Sequence, residues 1–334
     1  MRIDRFITLR CARPLRMLGR NRFRAADWEF HTSQCVLPIL MYHSISDDPE
    51  AGVRPYYRLC TNPARFAEHM ALLRSHGCRG VTLSEGLAWL NGSPTPGATV
   101  QRSQDSTIRL RSHSGCGTPN SAFRTPDFGA LPSVFRPRSS NQPVAITFDD
   151  GFRDFYTAAF PILQQHGFMA TMYLPTAYIG DDRRSFKGRS CLSWAEVREL
   201  HAAGIEFGSH TVTHRRLDTL TWPEIESELR ESRATIEQGL DAQASLFAHP
   251  YAFPQENGGY VARLAELLRT SGYTAAVTTR IGRARLGVSL FTLKRLPVNG
   301  LDDGRLLAAK LAGAYDWLGT VQRLRRLCAL RNHE

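Results

Sequence analysis

The chain has 334 residues, 42% hydrophobic and 22% charged, which supplies a sizeable core and excludes a chain that is disordered throughout. No run of about 18 uncharged apolar residues occurs, so an ordinary membrane-spanning helix is excluded. Of the net charge of +11, residues 1–30 carry +5 and residues 91–142 carry +4, so the remaining body is nearly neutral and does not read as a nucleic-acid-binding surface.

Residues 1–34 read as a basic arm, solvated or partly helical. Arg2, Asp4, Arg5 and Arg10 interrupt its apolar residues, so no secretory signal is visible and the compartment stays open. Seven cysteines, at 11, 35, 60, 78, 116, 191 and 328, form no C-x-x-C pair. That argues against a zinc cage or a disulfide framework and for free thiols, which mildly favours a reducing compartment.

The first strand signal is VLPILMYH, residues 36–43. A helix is expected from Asn62 to His76, with Phe66, Met70 and Leu73 at helical spacing, an Asn62 cap and a first-turn Pro63. VTLSEGLAWL reads as a short strand, a Ser84 cap and a helix to Leu90. Residues 91–142 are rich in Ser, Thr, Gly, Pro and Arg with no sustained period, and read as a disordered surface insertion.

Alternation resumes at Pro143. VAITF, ATMYL, IEFGS, SLFAHP, YTAAVTT and FTLKRLPV read as strands. The helices between them include Asp154–His166, one capped by Ser193 with Glu196 as a capping box, and one capped by Thr221. A long amphipathic helix is expected from Asp303 to Leu330. Apolar strands alternating with helices predict a parallel sheet covered on the outside. About seven strands fit a distorted α/β barrel; an open doubly wound sheet is the alternative, weakened because no G-x-G-x-x-G and no phosphate loop occurs.

In such barrels chemistry sits at the C-terminal strand ends. There the sequence places Tyr42-His43, Asp149-Asp150-Gly151, Ser209-His210 through His214, and His249-Pro250-Tyr251. His210 and His214 are four residues apart, a spacing that on a helical turn shares one face and suits a metal. Two imidazoles and Asp150 would make a three-ligand site with open positions, with Asp149 free as general base. The competing reading, two acids capping the next helix, leaves the matching histidines unexplained.

These residues resemble the polysaccharide deacetylase family, carbohydrate esterase family 4. TFDDG is similar to its first motif and SHTVTH to its second. The resemblance covers residues 36–318 around the insertion. It implies a distorted barrel, Asp149 as base, and Asp150, His210 and His214 as ligands of a divalent metal: zinc first, with cobalt, nickel or iron as alternatives. It divides the chain into an arm (1–34), a catalytic domain (35–318) and a helix end and tail (319–334). Three motifs depart from the family, one of them an Asp/Trp motif with no clear counterpart in this sequence. FAHPYAFP has Ala248 where the family presents an arginine that orients the base; His249 could stand in only with a shifted loop, while Pro250 and Tyr251 match the substrate groove wall. The C-terminal Leu-x-His acid is missing, and LFTLKRLPVN stands in its place. LPILMYHSI is similar instead to an exopolysaccharide-associated branch with Met-Tyr-His on the first strand, which implies His43 as the acid. The expected activity is removal of N-acetyl groups from an N-acetylhexosamine polysaccharide or oligosaccharide, with no nucleic-acid partner and no fixed oligomeric state. The rivals are a catalytically silent glycan-binding barrel and the same chemistry on O-acetyl esters or a non-sugar amide.

Overall fold

A computed structural model describes residues 3–10, 36–92 and 141–331. The arm beyond residue 10 and almost all of the expected insertion, residues 93–140, lie outside this description.

Eight parallel strands form the main sheet: β1 (Ile39–Tyr42), β2 (Cys78–Val81), β3 (Gln142–Phe148), β4 (Thr171–Leu174), β5 (Glu206–Ser209), β6 (Leu246–Ala248), β7 (Ala275–Ile281) and β8 (Leu293–Pro297). β1, β8, β7, β6, β5, β4 and β3 pair in that order, and β3 pairs back onto β1, closing a seven-stranded barrel. β2 is an extra strand. It pairs with the N-terminal half of β3, Cys78 opposite Gln142, while the C-terminal half of the same edge pairs with β4, Thr147 opposite Thr171. The closed barrel therefore prevails over the open sheet. Its strands are almost wholly buried, as expected where helices cover a parallel sheet.

The helices are α1 (Ile3–Arg10), α2 (Pro63–Ser75), α3 (Leu83–Leu90), α4 (Phe160–His166), α5 (Trp194–Ala202), α6 (Trp222–Leu240), α7 (Gly258–Thr270), α8 (Gly304–Leu311) and α9 (Trp317–Arg331). In α2 the Asn62 side chain accepts from Arg65 N at 2.7 Å, and Phe66, Met70 and Leu73 face the core. Burying each of these side chains contributes about 1.5–3 kcal/mol. The α5 capping box (Ser193–Glu196) forms as expected, and at the start of α6 Glu224 accepts from both Thr221 N and the Thr221 hydroxyl at 2.8 Å.

Four local expectations are corrected. Thr82, not Ser84, caps α3, because Glu85 rather than Leu87 supplies the reciprocal bond. The segment after the Asp pair begins with a wider π-type turn, Phe155–Ala159, before α4. The expected long C-terminal helix is two helices, broken where Gly313 adopts φ +88°. The first residues of the arm are helical, as one of the two expectations has it, but this helix is docked rather than solvated. Arg5 pairs with Asp303 at 2.5 Å, Asp4 accepts from the Tyr315 hydroxyl at 2.8 Å, and Trp317 Nε1 donates to Thr8 Oγ1 at 3.2 Å.

Cys60, Cys78 and Cys191 are buried free thiols; the other four cysteines have no described side chain. Among the described residues no helix is long and apolar enough to cross a membrane.

Candidate metal centre and active site

The strand ends converge on one rim of the barrel. Backbone bonds from Asp149 N to Tyr42 O, His210 N to Leu174 O and His249 N to Val277 O carry the pairing one step past each strand. The chain then turns sharply. Asp150 (φ +73°), Gly151 (φ +63°), Thr211 (φ +69°), His214 (φ +55°) and Tyr251 (φ +56°) all lie in the left-handed region. For a β-branched residue such as Thr211 this is costly, and such strain concentrates at functional sites.

The strain is held by specific bonds. Glu228 on α6 accepts from Val212 N at 2.7 Å, Thr213 N at 2.9 Å and the Thr213 hydroxyl. Thr211 Oγ1 accepts from His214 N at 2.9 Å, and Ser209 Oγ accepts from Thr211 N at 3.1 Å. The two histidines thus converge through a pinned, irregular loop and not through the helical turn that their spacing suggested.

Asp150 Oδ1 lies 3.1 Å from His214 Nε2 and 3.6 Å from His210 Nε2. Ligands around a tetrahedral ion with bonds of about 2.0–2.1 Å stand roughly 3.3 Å apart, so the three atoms fit one cation. Oδ1 is buried and makes no hydrogen bond, an arrangement that calls for a positive charge. His210 donates from Nδ1 to the Ala248 carbonyl at 2.8 Å, which leaves the Nε2 lone pair toward Asp150. Burial pushes His210 down to about 3, keeping it neutral as a ligand must be. Burial would raise Asp150, but His214, His43, Lys187 and His210 hold it far below the ordinary carboxylate range.

Asp149, its neighbour, is turned elsewhere. Arg295 on β8 grips it with two parallel bonds, Nη1 to Oδ1 and Nη2 to Oδ2, each 2.7 Å. The guanidinium is fully enclosed. Its Nε donates to Thr278 O at 3.1 Å, and Nη1 also reaches Thr147 Oγ1 at 3.3 Å. Burial would raise the Asp149 carboxyl, but Arg295 overrides it and holds the group below its ordinary value. Arg295 is the functional residue that the sequence reading missed. Its signal was a basic pair, Lys294-Arg295, inside the otherwise apolar run LKRLPV. At Ala248, where the resemblance leads one to expect an arginine, the backbone carbonyl serves His210, and the guanidinium beside Asp149 comes from β8.

His43 lies with Nε2 3.9 Å from Asp149 Oδ2, and burial lowers its pKa. Of the three residues expected to line the groove, Tyr251 is 46% exposed, with its ring 4.7 Å from that of His214. Pro250 is buried, and His249 is enclosed with its ring 4.8 Å from Phe253, so neither offers a side chain at the mouth.

Residues 136–276 match the family model described as Polysaccharide deacetylase. Streptococcus pyogenes deacetylase PplD, solved in complex with acetate, superposes with a TM-score of 0.59 at 20% identity, covering 83% of this chain and 99% of that one. The fold is the polysaccharide deacetylase fold. The polysaccharide deacetylase BC0361 of Bacillus cereus gives a TM-score of 0.58 at 21% identity, over 83% of this chain and 69% of that one. By sequence, the chain is 26% identical over 263 residues to YxkH of Bacillus subtilis, named as a candidate polysaccharide deacetylase, covering 79% of this chain and 71% of the relative. The chain thus combines the polysaccharide deacetylase fold with a buried Asp–His–His cluster of the kind a metal-dependent amidohydrolase uses. One narrower expectation is overturned. Met41-Tyr42-His43 falls outside the matched segment, the metal cluster is built by Asp150, His210 and His214, and these matches indicate no exopolysaccharide-associated branch.

Proposed function

We propose that this chain hydrolyses the N-acetyl group of an N-acetylhexosamine within a polysaccharide or oligosaccharide, releasing acetate and a free amine. The observation that carries the reading is the division of labour between adjacent acids. Asp150 Oδ1 faces two histidine nitrogens, while Asp149 is clamped on Arg295.

Asp150, His210 and His214 would hold a divalent cation, and two neutral imidazoles with one carboxylate suit zinc. Such an ion, when bound, polarises the acetyl carbonyl and acidifies water. Asp149, kept ionised by Arg295, takes the proton from the attacking water. His43, whose Nε2 lies 3.9 Å from Asp149 Oδ2, is placed to relay that proton to the departing nitrogen as the C–N bond breaks. Tyr251, exposed beside His214, offers a ring on which a sugar can lie. The case for a catalytically silent barrel rested on the missing base-orienting arginine and on the altered C-terminal motif; the Arg295 clamp on Asp149 speaks against the first of these grounds.

The test is acetate release from a panel of N-acetylhexosamine polymers, O-acetyl polymers and small acetamides with defined metals, using Asp149→Asn as the blank. Metal-dependent acetate release from the first group supports the proposal. No release from any amino-sugar polymer by metal-loaded, folded protein overturns it.

A further inference from the structure

Lys187 stands at the tip of a short hairpin over the metal centre. Ser185–Phe186 pairs antiparallel with Arg189–Ser190, joined by Lys187 (φ +51°) and Gly188 (φ +75°). Positive φ at both turn residues is the tight hairpin geometry that Asn and Gly adopt cheaply and Lys does not. The hairpin is tied down on both strands. The Phe186 ring lies 4.3 Å from Tyr178 and 5.0 Å from His214. Arg189 reaches Ser44 at 2.6 Å and Asp48 at 2.6 Å, and Arg153 N donates to Ser190 O at 2.9 Å. From this fixed tip the Lys187 ammonium lies 3.0 Å from Asp150 Oδ2, the oxygen that does not face the histidines. Its Nζ is also 4.6 Å from the Phe186 ring centre and 5.8 Å from that of Tyr251.

We propose that Lys187 is a positioning residue of the metal centre: it holds Asp150 by Oδ2, presents Oδ1 to the ion, and weakens the hold on that ion by sharing the carboxylate's charge. Two cations on one carboxylate repel each other across a few ångströms; Asp150 is buried, although the Lys187 side chain is about one-third exposed and partly screened by solvent. A partner that only orients a ligand strengthens metal binding, and its loss weakens binding about 10–100-fold. Lys187 carries a charge of the same sign as the ion, so its removal acts in the opposite direction. The sign of the change therefore separates charge sharing from mere support of the hairpin.

The experiment measures zinc affinity by competition with a chelating dye, at fixed pH and without substrate, for wild type, Lys187→Met, Lys187→Arg and His210→Ala. Lys187→Met keeps the apolar stem and removes the charge; it should lower the Kd about tenfold. Lys187→Arg should stay within about threefold of wild type, because the charge is kept. An unchanged or raised Kd in folded Lys187→Met overturns the proposal, with folding checked by circular dichroism. If that variant does not fold, a Kd for Lys187→Arg outside that range overturns it. The proposal rests on reading Asp150, His210 and His214 as the cation ligands. Undiminished zinc binding in His210→Ala would overturn that reading, whereas failure of the Lys187 proposal alone leaves His210→Ala weakened and acetate release intact.

Discussion

Arg295 and Asp149 are 146 residues apart in the chain and meet through two 2.7 Å bonds in the barrel interior. The pair does what a lone buried acid cannot: it keeps a carboxylate ionised where burial would protonate it. Arg295→Met leaves the Asp149 charge buried and unpaired, at a cost on the order of 3–5 kcal/mol. With the guanidinium gone, burial dominates and the Asp149 pKa rises. The acidic limb of kcat/KM for acetate release should therefore move to higher pH, and kcat should fall by roughly a hundredfold or more. Arg295→Met with Asp149→Asn should regain most of the lost stability and none of the activity. An acidic limb that does not move in Arg295→Met would rule out this role.

The two adjacent acids should separate in metal analysis. Asp149→Asn removes the base and leaves all three candidate ligands, so turnover should fall by about 10²–10⁴ while zinc content stays near that of wild type. His210→Ala removes a ligand, and both should be lost. Zinc loss in folded Asp149→Asn would mean that this acid serves the ion, and the division between the acids would be wrong.

Much of this was legible in the chain because local chemistry repeats at the right places. Apolar strands alternate with capped helices, and that pattern alone specifies a closed or open parallel sheet. Asp149, Asp150, His210 and His214 stood out because acids and imidazoles cluster where strands end. Arg295 did not, since its partner is on a strand that only barrel closure brings near, and no local period records a contact across the interior. The loop from Thr211 to His214 was misread for a related reason. Its conformation depends on Glu228, fourteen residues beyond His214 and on another element. The break between α8 and α9 is local, but one glycine within an amphipathic pattern is a weak signal against the period around it.

Glu228 makes a prediction of its own. Its carboxylate satisfies two backbone N–H groups and one hydroxyl in a loop with two left-handed residues. Glu228→Gln keeps the shape and loses the charge-assisted bonds, each worth about 1.5–3 kcal/mol. The loop should loosen, and zinc affinity should fall about 10–100-fold. Titration with a chelating dye checks this, and unchanged affinity would show that the loop holds His214 without Glu228.

His69 should account for a measurable share of the acid response, beside that of the buried His210. It is fully buried on α2, with Nδ1 3.0 Å from the Tyr42 hydroxyl and Nε2 2.6 Å from the Asp302 carbonyl oxygen. Burial, helped by Arg65 and Lys310, lowers its pKa to about 4. The unfolded chain, with an imidazole near 6.5, binds the proton first as pH falls. The contribution of a neutral His69 is therefore complete above about pH 6.5 and is lost as pH drops toward 4, on the order of 3 kcal/mol over that window. His69→Gln can accept from Tyr42 and donate to Asp302 without titrating. It should cost about 1 kcal/mol at pH 7 and flatten the fall in unfolding free energy between pH 6.5 and 4. Urea unfolding at a series of pH values measures the slope, and a slope equal to that of wild type would exclude His69 as its source.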